Sequence, residues 1–122
     1  MKMNGMNNFH DAYLVQSKFQ HEVTGATCPS DNLDAFSYHV QAMVEEMGEV
    51  MKADKRWKTH RNERYEPEEK LDEIADVFIT AMNLAIHSGF SVEQVEKAIS
   101  GKIHKNCIRF ELCGKKQKEM EA

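Results

Sequence analysis

Little in this chain favours a sheet. Only two prolines and six glycines interrupt its 122 residues, and alternation of β-branched with polar residues is nearly absent. Strands that bury one face need that alternation, so the expectation is an all-α protein. Cysteine is sparse too: Cys28, Cys107 and Cys113 are odd in number and contain no C-x-x-C pair, which supports neither a disulfide framework nor a zinc site. No apolar run is long enough to span a bilayer, and the first residues, Met1 to Gly5, carry no signal-like apolar stretch. Positive charge is not in excess, the net charge being −4, so no nucleic-acid partner is expected. These absences together describe a cytoplasmic protein of a reducing compartment, in a cell or encoded by a phage within one.

What is present is charge and helical periodicity. Charged residues make up 30% and hydrophobic residues 41% of the chain, the balance of a folded domain. We expect one domain over residues 1–122, with its core at about 31–110 and a charged, frayed tail over 111–122. The pattern predicts helices at about 7–23, 31–58, 68–88 and 92–110. Ser30 or Asp31 is a plausible cap for the second, and Pro67 among Glu66, Glu68 and Glu69 suits the start of the third. The third ends at Ser88-Gly89, and Ser91 with Gln94 has the spacing of a capping box for the fourth. Thr24 to Ser30 and Thr59 to Pro67 read as connections.

The faces of the helices carry more information than their limits. On the second, Val40, Met43, Val44, Met47, Val50 and Met51 form an arc expected to face the core. Glu46 and Glu49 lie at its edge beside Ala42 and Ala53, and Glu45 points further toward solvent. On the third, Leu71, Ile74, Ala75, Phe78, Ile79, Met82 and Ile86 share one face, with Val77 and Leu84 nearly opposite. A polar stripe of Glu73, Asp76, Thr80, Asn83 and His87 runs between them. No Lys or Arg occurs from Leu71 to Glu96. A solvated face usually interleaves basic residues, so this helix reads as buried.

Residues three apart share a helix face, so Glu46 with Glu49 and Glu73 with Asp76 form two acid pairs. If their helices pack antiparallel, four carboxylates converge and repel one another. A divalent cation relieves that repulsion, and oxygen-only donors suit Mg²⁺, with Mn²⁺ able to substitute. On the fourth helix, Lys102, Lys105, Asn106 and Arg109 continue the line of Val95, Ala98 and Ile99, and are expected to inherit an inward face. Such cations suit phosphate oxygens. Acids for a metal and bases for phosphate point to a nucleotide polyphosphate.

Glu45-Glu46-x-x-Glu49, followed after 23 residues by Glu73-x-x-Asp76, resembles the signature of MazG-like all-α nucleoside triphosphate pyrophosphohydrolases. Lys102-x-x-Lys105-Asn106-x-x-Arg109-Phe110 resembles the basic element that follows in many members. The resemblance implies a helical bundle of four to five helices, completed as a homodimer or homotetramer. It implies Mg²⁺-dependent hydrolysis of (deoxy)nucleoside triphosphates to monophosphate and pyrophosphate, in the service of nucleotide-pool housecleaning. By the same resemblance Glu46, Glu49, Glu73 and Asp76 are metal ligands, and Glu45 orients water. Lys102, Lys105, Asn106 and Arg109 contact phosphate, Trp57 packs on the base, and Phe19 belongs to a base-side segment with Lys18, Gln20 and His21.

Plainer readings stand beside these. Either acid pair alone reads as a solvated helix face, and Trp57 as a core or interface anchor. Asn83 is as well suited to an interhelical hydrogen bond as to a nucleotide. His39 reads as a satisfied interior histidine, and His87 as a contact with its helix dipole. Lys58, Arg61 and Arg64 read as a solvated loop. Two other functions compete: a phosphoribosyl-ATP pyrophosphohydrolase with similar acids, and a non-enzymatic helical module that docks a partner or DNA through residues 91–109. The second would present an exposed basic face.

Overall fold

The computed structural model describes residues 6–22, 29–58 and 65–121, those from 113 to 119 without their side chains. It contains four helices, α1 (Phe9–Glu22), α2 (Leu33–Ala53), α3 (Pro67–His87) and α4 (Val92–Glu121), with a 3₁₀ turn at Lys55–Trp57. No strand occurs among the described residues, and none of their helices is long and apolar enough to cross a membrane. The expected connections at 24–28 and 59–64, with Arg61, Arg64 and Cys28, lie outside the described residues.

Helix ends follow local hydrogen bonding. α2 is capped by Asn32, whose Oδ1 accepts from the Ala35 N–H at 2.9 Å, rather than by Ser30 or Asp31. It stops at Ala53 instead of reaching 58. The Asp54 carboxylate there accepts from the Arg56 N–H at 3.2 Å and from its guanidinium at 2.7 and 2.9 Å. A side chain bonded to the backbone two residues on competes with helix continuation. Pro67 opens α3 in the first turn, ahead of Glu68 and Glu69. α3 closes with Gly89 at φ +88°, its N–H bonded to Ile86 O and the Phe90 N–H to Ala85 O, each at 3.1 Å. That left-handed residue favours glycine, and a Cβ at Gly89 would also lie 3.4 Å from Pro29.

The capping box of α4 is formed. Gln94 Oε1 accepts from the Ser91 N–H at 2.8 Å, and Ser91 Oγ from the Gln94 N–H at 3.2 Å. α4 runs on to Glu121, past the expected end at about 110. Its last residues are mostly strong helix formers with no proline, and Gly114 alone does not end the run.

Residues up to Phe90 form one compact unit and those from Ser91 a second. Within the first, α2 and α3 lie antiparallel, since Asp54 meets Lys70 at one end and His39 meets His87 at the other. α1 crosses the C-terminal end of α3. Tyr13 donates to Phe90 O at 2.8 Å, Gln16 to Asn83 at 2.8 Å, and Gln20 meets His87 at 3.0 Å.

The apolar faces differ from expectation. Val44, Met47 and Met51 of the anticipated core arc are 63%, 55% and 51% exposed, and Leu71 and Phe78 of α3 are 64% and 63% exposed. The polar stripe of α3 turns inward instead. Glu73, Thr80 and Asn83 are half-buried and His87 is buried, with Asp76 alone exposed. Gln16 and Gln20 of α1 and Ser30 ahead of α2 supply hydrogen-bond partners for Asn83 and His87, and Thr80 bonds within α3, so burial leaves these polar groups matched. On α4 the line expected to face inward is likewise exposed, every residue from Lys97 to Leu112 being so.

Candidate metal centre and adjoining cavity

Glu46 on α2 and Glu73 and Asp76 on α3 each offer a carboxylate oxygen, all within 4.8 Å of one another. The antiparallel pairing produces this, because one turn of each helix is opposed across the pair. Proximity has an electrostatic cost. Partial desolvation first, then the charges of Asp76, Glu73, Glu45 and Glu49, push the Glu46 carboxyl above its ordinary value. Oxygen-only donors crowded so that one resists ionisation fit a hard divalent cation such as Mg²⁺ or Mn²⁺.

Glu49 stands apart from that trio. Its Oε1 accepts from Lys52 Nζ at 3.4 Å, on an exposed stretch of helix. It borders a neighbouring cavity of about 350 Å³ with Lys52, Asp72 and Glu73. Glu73 therefore belongs to the trio and also borders the cavity that Glu49 lines.

A cavity of about 530 Å³ adjoins Glu45 and Glu46 and extends along α2 past Ala42, His39 and Tyr38 to Ala35. Thr80, Asn83 and His87 of α3, Gln20 of α1 and Ser30 complete its lining. Its far end is a neutral hydrogen-bonded network. Gln20 Oε1 can only accept, so His87 Nε2 carries the proton of their 3.0 Å bond. His87 Nδ1 is then the acceptor for the Ser30 hydroxyl at 2.5 Å. The ring stacks on His39 at 4.2 Å, and Tyr38 meets His39 edge-on at 5.1 Å. Burial lowers the pKa of both histidines, His39 also through the charge of His87.

Two expected base-side residues are not in the lining of that cavity. Trp57 is 53% exposed, and its Nε1 donates to Met51 O at 2.6 Å. It borders a separate cavity of about 580 Å³ with Val50, Met51, Asp54, Arg56 and Lys70. Phe19 is 38% exposed, while the next residue, Gln20, reaches the cavity beside Glu46. Asn83 makes the interhelical bond that was one of its two readings, to Gln16, and lines the cavity as well. Lys102, Lys105, Asn106 and Arg109 share one side of α4 in the second unit, all exposed.

Gln16, Ser30 and Tyr38 escaped the sequence reading. The available signal was the spacing of Tyr13, Gln16 and Gln20 on one face of α1, two amides beside an aromatic, which a ragged apolar stripe concealed. No protein-family model, curated protein or solved structure matches the chain.

Proposed function

We propose that the protein is a divalent-metal-dependent nucleotide pyrophosphohydrolase, cleaving (deoxy)nucleoside triphosphates between the α and β phosphates. The observation that carries this reading is the convergence of Glu46, Glu73 and Asp76 within 4.8 Å, with Glu46 also lining the adjoining cavity. Glu46, Glu73 and Asp76 would hold Mg²⁺ or Mn²⁺, with Glu49 joining through the shared neighbour Glu73. A metal bound there supplies Lewis-acid polarisation of phosphate and activation of water. Glu45, exposed beside Glu46, would orient the attacking water and accept its proton. The cationic side of α4 is assigned to phosphate oxygens, as the MazG-like resemblance implies. Copies of the chain would cover Val44, Met47, Leu71 and Phe78, since an apolar surface of this extent marks an interface.

One observation favours a second reading. Lys102, Lys105 and Arg109 are exposed, and a basic exposed face is the footprint of a helical docking module. A panel of NTPs and dNTPs, with and without Mg²⁺ or Mn²⁺, separates the two. Metal-dependent release of pyrophosphate is expected, reduced at least ~100-fold in Glu73→Gln and less in Glu49→Gln. Absence of turnover for every nucleotide, with no metal uptake by calorimetry, would overturn the enzyme reading and promote the docking module.

A further inference from the structure

We infer that the cavity beside the carboxylates selects a nucleobase by its keto edge, through Asn83 held in one orientation by Gln16. The inference rests on the reading of the bound molecule as a nucleotide. With phosphates at the carboxylates, the base enters the cavity between α2 and α3, where Ala35 and Ala42 leave room and Tyr38 and His39 offer ring faces.

The hydrogen-bonding capacity of the lining is largely committed. Thr80 Oγ1 donates to Val77 O at 2.8 Å, so its hydroxyl proton is spent within α3. Both ring nitrogens of His87 are engaged, one with Ser30 and one with Gln20. Asn83 differs. Its Oδ1 accepts from Gln16 Nε2 at 2.8 Å, and its Nδ2 makes no hydrogen bond among the described residues. In that bond the carboxamide oxygen of Asn83 faces Gln16. The end left to the cavity is the NH₂ donor.

An NH₂ group pairs with a carbonyl and not with an exocyclic amine. The second lone pair of Asn83 Oδ1 can take the ring N–H next to that carbonyl. Together they match the C=O/N–H pair of uracil, thymine, hypoxanthine or guanine. Cytosine and adenine present an amine and an unprotonated ring nitrogen at the same edge, so donor meets donor and acceptor meets acceptor. A buried mismatch of this kind is expected to favour dUTP over dCTP by on the order of 10–100-fold. Gln16 is a positioning residue, acting on the base only through Asn83.

Gln16→Glu tests this on the full-length protein. A carboxylate only accepts, so Asn83 must turn its NH₂ toward residue 16 and its oxygen toward the cavity. The ratio of kcat/KM for dUTP to that for dCTP should then fall below one, while Gln16→Met, which frees the amide, should bring it toward one. Deoxyuridine and deoxycytidine binding, followed without metal by NMR, gives the same comparison independently of catalysis. A merely structural role for Gln16 would lower both substrates alike and leave the ratio unchanged. An unchanged ratio in both folded variants, or a wild-type preference for dCTP, would overturn the inference while the hydrolase reading stood. Loss of all hydrolysis with deoxyuridine still preferred would remove the hydrolase reading and keep the keto-selective cavity. Neither nucleoside bound and neither triphosphate hydrolysed would remove both.

Discussion

The two ends of the α2–α3 pair are closed by opposite chemistry. At one end His39 and His87 stack at 4.2 Å and are 7% and 4% exposed. Both are held neutral, and His87 is bonded through each ring nitrogen. At the other end Asp54 gathers Arg56 and Lys70, each at 2.7 Å, and both cations lie over Tyr65, at 4.1 and 5.0 Å. The neutral network survives burial because every bond replaces one lost to water. The charged network keeps its cations within reach of solvent, where desolvation costs little and the pair itself contributes little. Between them the carboxylates of Glu46, Glu73 and Asp76 have neither solution, being crowded with no basic side chain among the described residues paired to them. That contrast distinguishes the crowded acids from the neutral network at one side and the paired charges at the other.

Breaking the neutral end should cost most. His87→Ala removes a buried ring and the partner of the Ser30 hydroxyl, with an expected loss of about 2–4 kcal/mol, measured by urea denaturation. A loss no larger than that of Asp54→Asn would show that the two ends are equivalent after all.

Acid should separate the ends in a second way. His39 and His87 have folded pKa values below the ordinary 6.5, so the unfolded chain binds their protons first. Their contribution is full above pH 6.5 and is lost as pH falls from there through the depressed folded values. Asp54 is held below its ordinary 3.8 by the side-chain hydrogen bonds of Arg56 and then Lys70. Its contribution therefore persists until the pH drops below 3.8. Urea midpoints measured from pH 8 downward should show two separate declines, and histidine ring NMR should report only the first. A single decline confined to the region below pH 4 would contradict buried neutral histidines.

The smallest effect is expected at the charged end. Asp54→Asn should shift the urea midpoint less than His87→Ala, and raising the salt concentration should shrink the difference from wild type further. A midpoint difference that salt does not reduce would assign Asp54 a role beyond ion pairing.

Much of the architecture was written locally. The scarcity of proline, glycine and β-branched alternation determined an all-helical chain, because the backbone then has few alternatives to i→i+4 bonding. Pro67 at the start of α3, Gly89 after its end and the Ser91/Gln94 box are each decided within four residues, so sequence reading located them. The three-residue spacing of the acids determined that Glu46 and Glu49, and Glu73 and Asp76, share helix faces. Only tertiary structure decided which faces meet. α3 carries apolar residues on most sides, and periodicity cannot choose among them. Hydrogen bonds from Gln16 and Gln20 of α1 and stacking against His39 of α2 turned the polar stripe inward and left Leu71 and Phe78 outside. The same packing separated Glu49 from the trio. It also anchored Asn83 by its oxygen, since a contact across 67 residues depends on how helices cross and not on any spacing along the chain.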